Sequence, residues 1–389
     1  MSHLPATEAP TLRHMLEGLI ATPSVSSVTP NWDQSTRPLL ELLAGWLGTA
    51  GFRVEILDIP GHPAKANLVA TLGSGPGGLV LSGHADTVPF DAPLWQHDPL
   101  KLSEDSGRFY GLGTADMKSF LGLAIEAARG LSEADLRQPL IILATADEES
   151  AMHGARALVD AGRSLGRYAV IGEPTGLRPV RMHKGVMGEA VRLTGQSGHA
   201  SDPRLGNNAL EGMHQVLTDV LAWRDELQRT YNNPAFPISF PTINPGHIHG
   251  GDNPNRICGF CELHLDLRVL PGLDPADLRA ELSRRVAAVA EQRGLGWQVE
   301  ALFPSIPAAE TPASSAIVRA TEALTGHVAE AVSFGTEAPF FNRLGMETVV
   351  LGPGDVAQAH QPDEYLALDR IEPTVQLLKR LIRQFCIDV

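Results

Sequence analysis

The chain has 389 residues, of which 43% are hydrophobic and 20% charged, and 31 basic against 45 acidic side chains give it a formal net charge of −14. This composition excludes a disordered chain, and the length predicts two domains because a single hydrophobic core rarely serves so many residues. The acidic surplus disfavours nucleic acid as a partner, since proteins that bind phosphate backbones usually carry a basic surplus.

The cysteine count and the N-terminal segment favour the cytoplasm. Three cysteines are too few for the disulfide framework of a small secreted domain. The N-terminal segment lacks a basic stretch followed by an apolar core and a cleavage site. No apolar run is long enough to cross a bilayer. We therefore expect a cytoplasmic protein that does not enter the membrane.

The first half of the chain alternates helical patterns with short apolar runs. Apolar residues at helical spacing predict helices at about 10–21, 36–50, 117–131 and 151–162. Short apolar runs predict buried strands at 79–81, 140–143 and 169–171. Strand–helix–strand alternation of this kind predicts an α/β fold with a largely parallel sheet.

The pattern changes after residue 184. The next predicted elements are a strand at 187–194, a helix at 207–230, strands at 242–249 and 257–268, a helix at 274–292 and a strand at 296–302. Their order, β-α-β-β-α-β, is that of a ferredoxin-like domain. The α/β pattern then resumes with a helix from Ser314, a strand at 348–351 and a helix at 370–386. We therefore expect a discontinuous α/β domain (1–184 and 301–389) interrupted by an inserted domain (185–300).

Imidazoles and carboxylates collect after the predicted strands and beside glycine-containing turns. They are His84, Asp86, Asp116, Glu148, Glu149, Glu173 and His360. Ligands in open α/β sheets bind at the carboxyl ends of the strands, and divalent metals are bound by such side chains from separated points of a chain. Taken singly, each residue is more often a structural histidine or a helix N-cap. Their shared position favours a metal site.

Segments in the same regions resemble the signature blocks of the dinuclear-zinc aminoacylase and deacetylase family of metallopeptidases. They are SGHADTVP, YGLGTADMKSF, ATADEES, IGEPT, GQSGHASDP and AHQPDEYL. The resemblance runs in order from about residue 15 to the C-terminus, and it implies that the inserted domain is a lid and dimerisation domain. Within the family, the stretches ATADEE, GHIHGGDNPNRIC, GTEAPF and LGPG are most similar to the acetylornithine deacetylases of bacteria.

The resemblance implies two divalent cations, zinc in the first place with cobalt as an alternative. His84 and Glu173 would bind one cation, and Glu149 and His360 would bind the other. Asp116 would bridge the two. Such a pair of cations, about 3.5–4 Å apart, holds a water and a carbonyl oxygen together and brings the pKa of the water towards about 7.

The resemblance also implies catalytic or positioning roles for three residues that would not bind the cations. Glu148 would be the general base that takes the proton of the attacking water. Asp86 would orient the imidazole of His84 with its carboxylate. His199 resembles a lid histidine that reaches the active site of the other subunit, which implies a homodimer formed through the lid domain.

The residues expected to contact substrate lie in two regions. Asn255 and Arg268, thirteen positions apart, match an Asn and an Arg that the family places against the substrate carboxylate. Arg256 either shares that role or is a surface arginine, and Cys258 stands where the family usually has a proline. Glu337, in a loop that the family uses near the substrate, is expected to pair with the side-chain ammonium of an ornithine-type substrate.

The resemblance therefore implies hydrolysis of the amide bond of an N-acyl amino acid, with N-acetyl-L-ornithine, an intermediate of arginine biosynthesis, as the first candidate. The alternatives within enzymes are N-acetylcitrulline, N-succinyl-diaminopimelate or a small dipeptide. A third reading is a metal-binding protein that kept the scaffold without catalysis. Glu148, for which the resemblance implies no ligand role, speaks against that reading.

Overall fold

The structure, a computed structural model, describes residues 10–389 and divides into two units. The first comprises Met1–Arg181, Thr311–Glu330 and Thr336–Val389, described from residue 10 onwards, and the second comprises Met182–Glu310 and Ala331–Gly335. The inserted segment is longer than the predicted 185–300. Its C-terminal extension stays with the second unit because Ile306 exchanges backbone hydrogen bonds with Val186, and Ala309 pairs with His183.

The helices are α1 Leu12–Ala21, α2 Arg37–Thr49, α3 Lys118–Ala127, α4 His153–Asp160, α5 Ala209–Thr230, α6 Pro275–Arg293, α7 Ala316–Thr325, α8 Ala338–Arg343 and α9 Ile371–Ile382. Their ends follow local rules. Helix α6, for example, begins after Asp274, whose side chain accepts the N–H of Ala276, and ends at Gly294 in the left-handed conformation. Among residues 10–389, no helix combines the length and the apolar character that crossing a membrane requires.

The strands are β1 Arg53–Ile59, β2 His62–Leu72, β3 Leu79–His84, β4 Ser103–Asp105, β5 Arg108–Tyr110, β6 Leu140–Thr145, β7 Tyr168–Ile171, β8 Val180–His183, β9 Gly185–Thr194, β10 Thr242–Gly250, β11 Phe260–Val269, β12 Gly296–Ala301, β13 Ala309–Glu310, β14 Glu330–Val332, β15 Glu347–Val350 and β16 Tyr365–Ala367. Strands β4, β5 and β16 form a small antiparallel sheet, which the sequence analysis did not predict.

The main sheet of the first unit runs in the order β1-β2-β6-β3-β7-β15 and continues from β15 to β8, which pairs with it antiparallel through Val180. Its four central strands, β6, β3, β7 and β15, are parallel. Every residue of β3 and of β6 is buried, as expected for parallel strands covered on both faces. The prediction of an α/β fold with a mostly parallel central sheet is confirmed. The carboxyl ends of β3, β6 and β7 lie side by side, which places the residues that follow them at one edge.

Strands β1 and β2 were missed in the sequence analysis. They form an antiparallel pair, and β2 then joins β6, also antiparallel. Strand β1 is the edge of the sheet and is largely unburied, so it lacks the continuous apolar run that identifies the central strands. The sheet is therefore mixed, with an antiparallel flank on its parallel centre.

The second unit contains a four-stranded antiparallel sheet in the order β10-β11-β9-β12. Its chain order, β9-α5-β10-β11-α6-β12, is the predicted β-α-β-β-α-β arrangement, and the ferredoxin-like prediction is confirmed. Strand β11 alternates buried and partly exposed residues, with Leu263, Leu265 and Leu267 buried in a core that also contains residues of α5 and α6. One face of the sheet is thus packed against the two helices.

Candidate metal centre

His84 is the last residue of β3, and its imidazole is buried. Its Nδ1 lies 3.0 Å from the backbone carbonyl oxygen of Asp86, so Nδ1–H donates to that oxygen. Its Nε2 lies 3.0 Å from Oδ1 of Asp116 and 4.0 Å from Oε2 of Glu173. A hydrogen bond at one ring nitrogen fixes the tautomer and leaves the lone pair of the other nitrogen for a cation.

Asp116 lies between two histidines. Its Oδ1 faces Nε2 of His84 at 3.0 Å, and its Oδ2 faces Nε2 of His360 at 3.5 Å. Each carboxylate oxygen of Asp116 therefore faces a different imidazole. A carboxylate that bridges two cations needs this arrangement.

Glu149 and His360 form the other side of the cluster. Nε2 of His360 lies 3.2 Å from Oε1 and 3.0 Å from Oε2 of Glu149. His360 has a φ of 59°, in the left-handed region that non-glycine residues rarely adopt. Strained backbone of this kind clusters at functional sites, where the surroundings hold it in place.

The possible ligands form two overlapping groups that share His84. One contains His84, Asp116 and Glu149, the other contains His84, Glu148 and Glu173, and within each group the ligand atoms lie within 4.8 Å of one another. Oε1 of Glu173 is buried and finds no hydrogen-bond partner in the described chain, residues 10–389. Leaving such an atom unpaired costs about 1–3 kcal/mol, so this oxygen is suited to a cation.

The glutamates of the cluster resist ionisation. Burial, followed by the negative charge of a neighbouring carboxylate, raises the pKa of Glu148, of Glu149 and of Glu173. The neighbour is Glu173 for Glu148, and Asp116 for the other two. The cluster therefore holds more negative charge than its own side chains neutralise.

The pKa values of the two histidines are also raised, which for an imidazole favours the charged form. Burial disfavours the protonated form of His84, but the hydrogen bond to Asp116 and the surrounding carboxylates outweigh burial and raise its pKa well above the usual value. The hydrogen bond to Glu149 raises the pKa of His360 to about 9. Both imidazoles therefore sit where positive charge is stabilised, which is the place that a divalent cation takes in a metal site.

Asp86 has a different partner from the one predicted. Its carboxylate Oδ1 is 3.9 Å from Nδ1 of His84, and the backbone carbonyl of Asp86 takes that hydrogen bond instead. The carboxylate accepts the backbone N–H groups of Glu148 at 3.2 Å and Glu149 at 3.1 Å. Asp86 thus connects the end of β3 to the segment that follows β6 through two hydrogen bonds to an ionised acceptor.

The segment that carries the two glutamates, residues 146–152, is called the acidic loop below. Asp147 and Met152 in it have φ values of 65° and 54°. Left-handed backbone costs about 1–3 kcal/mol at each non-glycine residue and persists only where surrounding contacts enforce it. Glu148 points its carboxylate towards His84 and Glu173, within the group described above.

Glu364 belongs to the centre but was not predicted. Its buried carboxylate accepts the backbone N–H groups of Gly113 at 3.1 Å, Ala115 at 2.7 Å and Asp116 at 2.9 Å. Burial and the charge of Asp116 raise its pKa to about 8, although the N–H donors act in the other direction. Glu364 fixes the backbone that presents Asp116. Its place four residues after His360 was the only signal in the sequence.

We expect Glu364→Gln to weaken the centre without removing a ligand. An amide presents one oxygen where the carboxylate presents two, so the N–H groups around Asp116 lose part of their acceptor. Mutation of a residue that hydrogen-bonds a metal ligand or its backbone typically lowers metal affinity or activity by about 10–100-fold. Titration of Zn²⁺ into the metal-free variant measures the effect, with the exposed Glu41→Gln as control. Parental Zn²⁺ affinity in Glu364→Gln would show that the clamp is dispensable.

Four predicted residues belong to the second unit. The segment at His199 lies beside the segment at Asn255, since the N–H of Ala200 donates to the carbonyl of Asn255 at 2.9 Å. His199 is exposed, and its Nδ1 accepts the backbone N–H of Ser201 at 3.2 Å. Arg256 donates to Asp252 at 2.6 Å on the surface. The structure thus brings His199, Asn255 and Arg256 into one region.

Arg268, the fourth of these residues, lies on β11 and pairs with its neighbour Asp266. Its Nε is 2.9 Å from Oδ1 and its Nη2 is 3.2 Å from Oδ2. The Arg268 side chain is 38% exposed, so the ion pair is in contact with solvent and contributes little to stability. A substrate carboxylate would have to compete with Asp266 for this guanidinium.

Glu337 lies in the first unit and is buried. Its Oε2 accepts the hydroxyl of Thr145, at the end of β6, at 2.8 Å. Its Oε1 is buried and has no hydrogen-bond partner within residues 10–389. Burial raises the pKa of Glu337 to about 7. Oε1 of Glu337 is therefore available to a cationic group, but because it is buried only a group bound within the site could reach it.

The sequence model of peptidase family M20/M25/M40 matches residues 80–384. The chain belongs to this family. Acetylornithine deacetylase from Pasteurella multocida (strain Pm70) is 50% identical over 377 residues, which cover 97% of this chain and 98% of that protein. The chain is therefore a hydrolase.

Solved structures share the fold. Aminopeptidase PepT from Bacillus cereus ATCC 10987 superposes with a TM-score of 0.75 at 21% identity, covering 96% of this chain and 97% of that one. The YXEP protein of Bacillus subtilis, described as a dinuclear metal-binding peptidase from the M20 family, superposes with a TM-score of 0.66 at 16% identity, covering 95% and 96%. At these identities the likeness shows the M20 fold alone.

The residues of the centre fit a metal site of this family. Imidazole nitrogens and carboxylate oxygens suit zinc, and cobalt and manganese as well. The clustered carboxylates lack positive charge, and the unpartnered oxygen of Glu173 lacks a donor. Divalent cations supply the missing charge, so the donor set is consistent with metal binding.

Proposed function

We propose that the chain hydrolyses the amide bond of N-acetyl-L-ornithine and releases L-ornithine and acetate. The observation that carries the proposal is Asp116, whose two oxygens face His84 and His360 separately inside a cluster short of positive charge. The 50% identity to an acetylornithine deacetylase over nearly the whole of both chains supports the substrate.

In this proposal His84 and Glu173 would hold one divalent cation, Glu149 and His360 would hold the other, and Asp116 would be a ligand that the two share. When bound, such cations polarise the acyl carbonyl and make water acidic enough to attack at neutral pH. Zinc is the proposed ion, and cobalt is the alternative.

Glu148 is the proposed general base. Its carboxylate lies beside His84 and Glu173, and in the metal-free chain burial and the charge of Glu173 raise its pKa. A carboxylate with a raised pKa takes the proton of the attacking water and returns it to the departing amine. The carboxylate of Asp86 accepts the backbone N–H of Glu148 and so holds that backbone in place.

The test of the substrate is a turnover panel on metal-loaded protein. N-Acetylornithine, N-acetylcitrulline, N-succinyl-diaminopimelate and a small dipeptide are compared by release of free amine. We expect the highest kcat/KM for N-acetylornithine. A higher value for another member of the panel would replace the proposed substrate, and no turnover with any of them would favour a metal-binding protein without catalysis.

Glu337 is proposed to pair with the side-chain ammonium of ornithine through its unpartnered Oε1. A hydrogen bond to a charged group is worth about 1.5–3 kcal/mol. Glu337→Gln should therefore lower kcat/KM for N-acetylornithine by roughly 10–100-fold relative to a neutral N-acetyl amino acid, since about 1.4 kcal/mol is tenfold. An unchanged ratio between the two substrates would leave Glu337 with a structural role beside Thr145.

The remaining proposals rest on the resemblance. We propose a cytoplasmic homodimer formed through the second unit, in which His199 stabilises the reaction in the partner's site. We also propose that Asn255 and Arg268 bind the substrate carboxylate and that Arg256 either shares this role or is a surface arginine. A guanidinium suits that carboxylate because it donates in a bidentate fork. A monomeric preparation with full activity would contradict the dimer.

A further inference from the structure

The acidic loop is fixed on the side away from the proposed ligands by a second set of contacts. Asp147, directly before Glu148 and Glu149, is buried, and its two oxygens have separate partners. Oδ1 accepts the hydroxyl of Ser150 at 2.6 Å, and Oδ2 is hydrogen-bonded to Nδ1 of His153. The Asp147 side chain therefore ties the start of the loop to the first residue of α4.

His153 is itself held by a neighbour from β2. Its ring lies against the ring of His62, with centroids 3.8 Å apart and planes tilted by 31°. Lys65, also on β2, places its Nζ 4.0 Å from Oδ1 of Asp147 while donating to Asp33 at 2.7 Å. The buried carboxylate thus has one cation nearby and one imidazole in contact, and both positions are set by the antiparallel flank of the sheet.

Asn67, on the same strand, joins the start of the acidic loop to the first turn of α4. Its Oδ1 accepts the N–H of Ala146 at 3.1 Å, and its Nδ2 donates to the carbonyl of Gly154 at 2.9 Å. A Cβ on Gly154 would come within 2.5 Å of Asn67 and 2.6 Å of Ala146, so the approach requires glycine. Hydrogen bonds from β2 therefore hold the segment from Ala146 to Gly154 at both of its ends.

We infer that His153 is a positioning residue: through Asp147 it holds the acidic loop in the geometry that presents Glu149 to a cation and Glu148 to water. The two left-handed residues of the loop make this bracing necessary, because that backbone relaxes when its contacts are removed. The inference rests on the proposed function only for the roles of Glu148 and Glu149. It needs no assumption about the acyl amino acid that is hydrolysed.

The test is a titration of Zn²⁺ into metal-free full-length protein, read by calorimetry. His153→Ala should weaken one of two Zn²⁺ sites by about 10–100-fold and leave the other unchanged, since only Glu149 among the proposed ligands lies in the loop. His153→Asn should restore most of the affinity, because its amide nitrogen replaces Nδ1 as a donor to Asp147. The exposed His327→Ala is the matched control and should bind as the parent does.

Parental affinity at both sites of His153→Ala would overturn the inference, and so would equal weakening of both sites together with a lower Tm, which indicates a general loss of stability. Where His153→Ala does not fold, His153→Leu keeps bulk against the ring of His62, removes the donor to Asp147 and is read in the same way, with the same outcomes. A parent protein that cleaves no acyl amino acid would refute the proposed function, yet these Zn²⁺ affinities would still decide the role of His153.

Discussion

Glu148→Gln should lower kcat by about 10²–10⁴-fold, the usual contribution of a general base. The amide keeps the size of the side chain and its backbone contact with Asp86, but it cannot accept the proton of the attacking water. KM should change little, because the interaction is made only in the transition state. Steady-state kinetics on the metal-loaded variant, with N-acetylornithine as substrate, measure the effect.

The metal content separates a base from a ligand. Glu148 lies close enough to His84 and Glu173 to bind a cation, so geometry alone permits either role. If Glu148 is the base, Glu148→Gln retains two metal ions per chain, and Glu41→Gln retains full activity. A variant that holds two ions and turns over at the parental rate would overturn the assignment, and a variant that loses one ion would make Glu148 a ligand.

Asp116→Asn should affect both cations at once. An asparagine can offer an oxygen to one cation, but it lacks the negative charge that two adjacent cations need between them. Loss of about 4 kcal/mol of transition-state stabilisation, in the range that metal catalysis supplies, corresponds to roughly a 10³-fold lower kcat/KM. Steady-state kinetics on the purified variant measure the fall in kcat/KM, and metal analysis measures the number of ions bound per chain.

The matched control is Asp160→Asn, an exposed aspartate at the end of α4. It should bind two ions and react as the parent does. Asp116→Asn is expected to lose at least one ion even with excess Zn²⁺. Glu364→Gln is expected to bind Zn²⁺ with lower affinity, but excess Zn²⁺ should restore both ions. Full occupancy and full activity in Asp116→Asn would remove the bridging role.

The sequence predicts those parts of the fold and site that local patterns determine. The apolar runs of β3, β6 and β7 identify the parallel centre; His84 is the last residue of β3, and Glu149 and Glu173 lie within four residues of the ends of β6 and β7. Asp116 and His360 follow no such strand, and the sequence marks them only by the glycine-containing turns beside them and by the family resemblance. The ferredoxin-like order of the inserted unit is also readable, since its strands and helices are long and regularly spaced.

Long-range partners could not be predicted. Glu364 meets Asp116 across 248 positions of the chain, and nothing near either residue indicates the contact. The carboxylate of Asp86 had several possible donors within reach, and the loop geometry after β6 decided in favour of Glu148 and Glu149. Strand β2, which braces the acidic loop, was missed altogether.

The central claim is that two cations share Asp116 in one site. Anomalous diffraction from crystals of the Zn²⁺-loaded protein tests it most directly. The account predicts two peaks about 3.5–4 Å apart, one beside His84 and Glu173 and one beside Glu149 and His360. A single peak, or peaks that do not contact Asp116, would contradict it.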